Sequence, residues 1–225
     1  MKPQKPSDLR EACIAEALAI IEDAGVEGLS IREVARRLGV SHQAPYKHFP
    51  SSEHLLAELV RRTYVTFAEH LETRPRGGTP GDDMYCMGRA YFQFAMDHPL
   101  KYRLLFGTPL PDPTRHPAMM EEARKAFSVL LAGVAQMKGG VPLGSREIHL
   151  DALFVWSVVH GMATILQTTA LHQLGLDEAT LRGAMPHALE SIGRALTRAT
   201  APVPVASSAE ARPGKRVRGE PSGKA

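Results

Sequence analysis

The sequence predicts an all-α protein in two folded parts, a small three-helix unit over residues 1–50 and a larger helical unit over residues 51–200. Three observations carry that class. Apolar residues recur at helical steps in nearly every segment. Helix starts and stops are marked by Ser caps at Ser30 and Ser41 and by Gly or Pro breaks. No segment shows the sustained apolar/polar alternation, bounded by turns, that marks a half-buried strand. With 44% apolar residues in 225, the chain has enough material for genuine cores.

Taken in order, Leu9, Cys13, Ile14, Ala17, Leu18 and Ile21 form one face of a helix from Ser7 to Ala24, stopped by Gly25. Ser30-Ile31-Arg32-Glu33 has the form of a capping box, and Ile31, Val34, Ala35 and Leu38 follow it at i, i+3, i+4 and i+7, giving a helix of about two turns. Gly39 breaks that helix, Ser41 is placed to cap a third through Phe49, and Pro50 closes it. A long helix is expected from Ser52 to Thr73, ended by the Pro/Gly-rich linker 74–80. Further helices are expected at Asp82–Met96, Pro99–Phe106, Pro117–Lys138, Ser145–Leu174 and Asp177–Thr197. Pro186 should split the last, because its ring opposes the carbonyl four residues back. From Ala201 to Ala225, Leu and aromatic residues vanish while Pro, Ser, Gly, Lys and Arg dominate, so this tail is expected to be disordered and basic.

Charge and cysteine usage exclude several classes. The 27 Lys+Arg against 24 Asp+Glu leave a net +3, and that excess sits wholly in residues 201–225, so the total charge is no argument for nucleic-acid binding. Cys13 and Cys86 are far apart and offer neither a disulfide framework nor a cysteine-based zinc site, which suits a reducing cytoplasm. The polar N-terminus lacks the hydrophobic stretch of a secretory signal. Leu150 to Leu171 is the most apolar stretch, but Asp151, Ser157, His160 and Gln167 make it a buried helix of a soluble protein rather than a span, so no membrane partner is expected. No His-Glu-x-x-His, P-loop, nucleophile elbow or Ser-x-x-Lys occurs, so no catalytic residue, metal or cofactor is assigned.

The segment Ser30–Phe49 has the form of a helix-turn-helix, with small Ala35 where two helices cross and Gly39 in the turn. The same pattern also fits an ordinary helical hairpin. Its polar residues favour duplex DNA as partner. Ser41, His42, Gln43 and Ala44 form the first turn of the second helix, and Tyr46, Lys47 and His48 the next. Gln pairs bidentately with adenine in the major groove, while Tyr, Lys, His and Ser donate to phosphates. Ser30 and Arg32 lie where free N–H groups of a helix start attract an anion. From Arg32 to Lys47 four cations face a single acid, Glu33, so a local basic patch is expected.

On these residues the chain resembles the TetR family of bacterial transcriptional regulators: Ala12 to Gly28, then Leu29-Ser30-Ile31-Arg32-Glu33-Val34-Ala35-Arg36-Arg37-Leu38-Gly39-Val40-Ser41, and above all Pro45-Tyr46-Lys47-His48-Phe49-Pro50 running into Ser51-Ser52-Glu53-His54-Leu55-Leu56. The resemblance implies that Arg32 and residues 42–44 face bases, and that Tyr46, Lys47 and His48 hold the backbone. Pro45 departs from the pattern by lying inside the second helix, and Ser52 stands where the family often has a basic residue. Downstream, Tyr91 to Pro99 and Trp156-Ser157-Val158-Val159-His160-Gly161 resemble the subgroup named for its Trp-His-Gly C-terminal domain. The implied fold is an N-terminal helix-turn-helix DNA-binding domain plus a larger helical ligand-binding and dimerisation domain. The implied function is a homodimeric regulator, in the first reading a repressor released from a palindromic operator by an unidentified small-molecule effector, in the alternative an activator or a regulator without a small-molecule ligand. The self-contact is expected through the helices near 145–174 and 177–198.

Trp156 and His160 are four residues apart and share a helix face, so they are candidates to line a cavity. Phe92, Met96, Phe106 and Phe127 are further candidate walls. All six serve equally well as plain core residues. A small helical enzyme and a pure dimerisation scaffold are the rival classes, and the polar first turn of the second short helix speaks against both.

Overall fold

The computed structural model describes residues 6–107 and 109–197; the basic tail expected at 201–225 lies outside the described residues. Eight α-helices are present among them: α1 (Pro6–Ala24), α2 (Ile31–Arg37), α3 (Ser52–Glu72), α4 (Pro80–Asp97), α5 (Pro99–Phe106), α6 (Pro117–Met137), α7 (Arg146–Leu166) and α8 (Glu178–Thr197). Short 3₁₀ turns at Val26–Gly28, Pro45–Lys47 and Thr169–Leu174 join them, and no strand occurs among the described residues.

Side-chain caps set most of these boundaries, Ser30 as expected from sequence and the others beyond it. Ser30 Oγ accepts the Glu33 N–H at 3.1 Å, Ser51 Oγ that of His54 at 3.3 Å, Thr79 Oγ1 that of Asp82 at 3.2 Å and Ser145 Oγ that of Ile148 at 3.3 Å, each satisfying an orphan donor of a first turn. Asp177 does the same for Thr180 at 2.6 Å. Helix α2 ends in a Schellman motif: Val40 N–H reaches Ala35 C=O at 3.1 Å and Gly39 N–H reaches Arg36 C=O at 3.2 Å. That closure requires a left-handed residue, and Gly39 has φ of 65°.

Three expectations are corrected. The third helix of the N-terminal unit is no α-helix: residues 42–44 form a turn and Pro45–Lys47 one 3₁₀ turn. Pro45 has no N–H to give the Ser41 carbonyl, which instead takes the Ala44 N–H at 3.0 Å, tightening the coil. The helix expected to run from Ser145 to Leu174 stops at Leu166. Gln167 Nε2 and Thr168 Oγ1 turn back onto the Ala163 and Thr164 carbonyls at 3.0 and 3.1 Å, satisfying the end before the 3₁₀ turn begins. Pro186 does not split α8, which is continuous across it. Both Pro186 and Arg182, whose carbonyl loses its partner, lie on the exposed side, where water can satisfy that oxygen.

Helix α3 is the axis of the molecule. It packs against α1 on one side and most extensively against α6 on the other, while α4 touches α3, α5, α6, α7 and α8. One continuous core runs from Cys13, Ile20 and Val34 through Leu55, Leu59 and Phe67 to Phe94, Leu104, Ile148 and Ile192. Helices α4 and α8 meet at Gly88, where an added Cβ would strike Leu189. The corner after α3 is pinned by an ion pair the sequence read only as linker: Arg74, its side chain 1% exposed, donates to Asp83 Oδ2 and to the Leu71 carbonyl, each at 2.6 Å. Helix α7 alone among the described residues is long and apolar enough to cross a membrane by length and composition. It is not wholly buried, as expected, but two-sided: Ile148, Ala152, Val155, Val159 and Ala163 face the core, while Leu150, Leu153, Phe154 and Ile165 are exposed.

Candidate nucleic-acid interface and ligand cavity

Four of the side chains singled out in the N-terminal unit converge in space. Arg32, on the first turn of α2, and His42, Gln43 and Tyr46, from the tight turn after Gly39, line one surface cleft of about 530 Å³. The Schellman closure places them there by reversing the chain within a few residues. Pro45 and Phe49 are buried and anchor the turn, and Phe49 N–H bonds to the Pro45 carbonyl at 3.0 Å. Ser41, His42, Gln43, Tyr46 and Lys47 are consequently exposed, while Ser30, Ala44 and His48 are half-buried. Ser30 spends its oxygen as the α2 cap and keeps its hydroxyl proton to donate.

The local basic patch is half as large as its sequence suggests. Glu33, expected to complete the capping box, instead accepts from Arg36 Nε and Nη2 at 2.7 and 2.6 Å and from Arg37 Nε at 3.1 Å. Arg37 also reaches Asp23 at 2.8 Å and Glu16 at 3.5 Å. Hydrogen bonds from Arg36, then Arg37, hold the Glu33 carboxyl down to about 2, so it stays ionised opposite both guanidiniums. Arg32 and Lys47 take part in no ion pair among the described residues, which leaves them the cations free to face phosphate.

Helix α3 leaves this unit directly and is bolted to α1. Glu58 bonds Arg61, Arg62 and Arg10 at 2.8–2.9 Å, and Arg62 also grips Glu11 at 2.6 Å. Burial works to raise the Glu58 carboxyl, but the three guanidiniums outweigh it and hold the group at about 2. Farther along, Tyr64, Phe67 and Leu71 of the same helix form one wall of a cavity of about 770 Å³. Met84, Met87, Gly88 and Tyr91 of α4, Leu105 and Phe106 of α5, Met120, Ala126 and Phe127 of α6, and Leu153, Trp156 and His160 of α7 supply much of the rest.

Of the six candidate cavity residues, Phe106, Phe127, Trp156 and His160 lie together on this wall. Phe92 and Met96 do not; they pack against the core roughly a quarter to a third of a turn around α4 from the cavity-facing Met84, Met87 and Tyr91. The sequence reading missed those three as walls, although their i, i+3, i+7 spacing marks one helix face. It also missed the polar cluster at the inner end. Tyr102 Oη lies 2.7 Å and Tyr91 Oη 3.1 Å from His160 Nδ1. Burial lowers the His160 imidazole below its ordinary range, and burial first, then Tyr102, raises the Tyr91 phenol, so the ring is neutral and Tyr91 keeps its proton.

Comparison with known proteins bears on both regions. Residues 14–59 match the family model described as bacterial regulatory proteins, tetR family, and residues 84–189 match the one described as a tetracyclin repressor-like C-terminal domain. An HTH-type transcriptional regulator of Mycobacterium tuberculosis is 31% identical over 144 residues, 58% of this chain and 61% of that protein. The chain thus spans less than two thirds of the length of this relative. The class C tetracycline repressor protein of Escherichia coli is 40% identical over 67 residues, 30% of each chain. Among solved structures, a Rhodococcus sp. RHA1 protein of unknown function matches with a TM-score of 0.69 and 26% identity, over 88% of this chain and 100% of that one. A bacterial regulatory protein in the tetR family from Rhodococcus RHA1 shares the fold at a TM-score of 0.62 and 16% identity, over 85% of this chain and 98% of that one. The likeness to the Trp-His-Gly subgroup stays a resemblance of short motifs.

Proposed function

The chain belongs to the TetR family of bacterial transcriptional regulators, a regulator and not an enzyme, and from that premise we propose that it is a cytoplasmic homodimeric repressor whose grip on a palindromic operator is loosened by a small molecule in the α3–α7 cavity. The observation that carries the DNA half is the cleft shared by Arg32, His42, Gln43 and Tyr46, with unpaired Lys47 at its edge. Gln43 and His42 reach for base edges, Arg32 reads from the start of α2, and Tyr46, Lys47, His48, Ser30 and Ser41 hold phosphates. Ala44 keeps the approach close.

Dimerisation is assigned to α7 and α8. Leu150, Phe154 and Ile165 are 55, 42 and 51% exposed along one side of α7, and an added Cβ at Gly161 or Gly183 meets nothing, leaving room for a partner helix. Two copies of an isologous contact set two reading turns on one side of the duplex.

The cavity and the reading turn are joined by two links. One is α3, which follows the DNA-binding unit at Ser52 and lines the cavity with Tyr64, Phe67 and Leu71. The other runs through the segment after α5: Leu110 lines the cavity, and close by in sequence the Asp112 N–H and Arg115 guanidinium bind Glu53 of α3 at 3.4 and 2.7 Å. A ligand that displaces Leu110 thus pulls on the first turn of α3 and turns the reading unit out of register.

A footprint of the purified protein on its own genomic DNA tests the assignment. The protected site should be an inverted repeat with half-site centres roughly 34–36 Å, or a multiple, apart along the duplex. Protection of a site without two-fold symmetry overturns the dimeric reading.

A further inference from the structure

The chemistry of the cavity wall narrows what it can hold, a step that rests on reading this cavity as the effector site. None of the residues lining it is Lys, Arg, Asp or Glu. Its polar groups are few, and most are already committed. Ser157 Oγ donates to the Leu153 carbonyl at 2.7 Å. The Tyr91 and Tyr102 hydroxyls turn toward His160 Nδ1. Nδ1 has a single lone pair, and Tyr102, the nearer phenol at 2.7 Å, is assigned as its donor although its hydroxyl also lies 3.4 Å from the His160 carbonyl; that assignment puts the single proton of the neutral ring on Nε2. No hydrogen bond among the described residues engages Nε2. With that tautomer the wall presents the His160 Nε2–H, backed by Tyr102, beside the Tyr64 hydroxyl and the Trp156 indole N–H in an otherwise apolar chamber. Around it stand aromatic rings, with Phe106 5.3 Å and Trp156 6.4 Å from the His160 ring centroid. Met84, Met87 and Met120 supply pliable surface.

We propose that the cavity selects an uncharged, predominantly aromatic or aliphatic molecule carrying one hydrogen-bond acceptor, a carbonyl or ether oxygen, which docks on His160 Nε2–H. The cavity volume of about 770 Å³ is in the range of sites for multi-ring small molecules. A carboxylate entering here loses its hydration and meets no cation. An ammonium loses its own and meets no carboxylate, while the His160 N–H points a positive dipole at it; the ring faces compensate only in part. The acceptor completes a chain from the Tyr102 phenol to the imidazole to the ligand.

The test is isothermal titration calorimetry of the full-length protein with four probes of one shape: benzophenone, diphenylmethane, diphenylacetate and benzhydrylammonium. Benzophenone should bind tightest, with the two ions about tenfold or more weaker because their charge is buried unpaired. Diphenylmethane should lie about two- to tenfold below the ketone, the worth of one hydrogen bond. His160→Phe should erase the difference between ketone and hydrocarbon, and His160→Gln, which keeps an N–H donor, should restore part of it. Equal or tighter binding of either ion overturns the ligand class, as does a ketone preference that survives in His160→Phe. Ala126→Leu, which fills the chamber, separates this from failure of the cavity reading itself: if benzophenone binds that variant undiminished, or binds neither form, the cavity is not the site and the proposal falls with it.

Discussion

The sharpest quantitative consequence of the structure concerns which arginines count on DNA. Four cations crowd the stretch from Arg32 to Lys47, but Arg36 and Arg37 are held by Glu33, and Arg37 by Asp23 as well, at 2.6–3.1 Å. To touch a phosphate either must abandon a carboxylate that remains ionised at neutral pH. Lys47 and Arg32 carry no such tie. Each phosphate neutralised contributes about 0.9 to the slope of log affinity against log salt, so removing Lys47 from both subunits of a dimer should flatten that slope by about 1.8. Between 50 and 200 mM salt, a fourfold change, the mutant should escape roughly a twelvefold share of the affinity loss seen in the wild type. Arg36→Ala and Arg37→Ala should leave the slope near its wild-type value. Fluorescence anisotropy on the footprinted operator across this salt range reads all of these slopes. The reasoning is refuted if Arg36→Ala or Arg37→Ala flattens the slope as much as Lys47→Ala, for then the Glu33 clamp opens on DNA.

Two further outcomes test the scaffold. The Glu58 carboxyl, held near 2 against an ordinary 4.5, contributes stability that is complete above about 4.5 and is lost as pH falls toward 2; the wild-type melting temperature should therefore drop more steeply than that of Glu58→Gln over this interval, and parallel curves would show that the three arginines do not bind it in solution. Asp83→Ala strands the buried Arg74 guanidinium and should cost about 3–5 kcal/mol in urea unfolding, far more than Arg76→Ala, which removes only an exposed partner; a loss below about 1 kcal/mol would mean that Arg74 finds water.

What could be read from the sequence was what is encoded within one turn of the chain. Ser30 caps α2 through an N–H three residues on, and Gly39 closes it within two, so local pattern sufficed there, whereas Thr79, which caps α4 through the Asp82 N–H, falls within the stretch expected as linker. The errors fall where a local rule was overruled by surroundings. Pro186 breaks a helix only if the carbonyl it orphans has no alternative, and Arg182 lies in water. Glu33 completes a capping box only if nothing competes for it, and two arginines do. Arg37 is tied in turn to Asp23 and Glu16, 14 and 21 residues away on α1, a pairing made between helices that the pattern of one helix does not contain.

The same contrast separates the two halves of the candidate site. Every side chain proposed to meet DNA lies between Ser30 and His48, because a helix-turn-helix brings its reading groups together through one tight turn, and its chemistry is therefore contiguous in sequence. The cavity is drawn from α3, α4, α5, α6 and α7, and the setting of its histidine exists only because Tyr91 and Tyr102, 69 and 58 residues before His160, fold onto the imidazole. His160 on its own could donate or accept from either nitrogen. The proposed tautomer rests on Tyr102 rather than on the histidine itself. For a regulator of this build, the proposed DNA-reading groups are thus visible in a run of some twenty residues, whereas the chemistry of the proposed effector cavity is set by the packing of helices far apart in the chain, where substituting one distant hydroxyl would alter that chemistry without touching the motif.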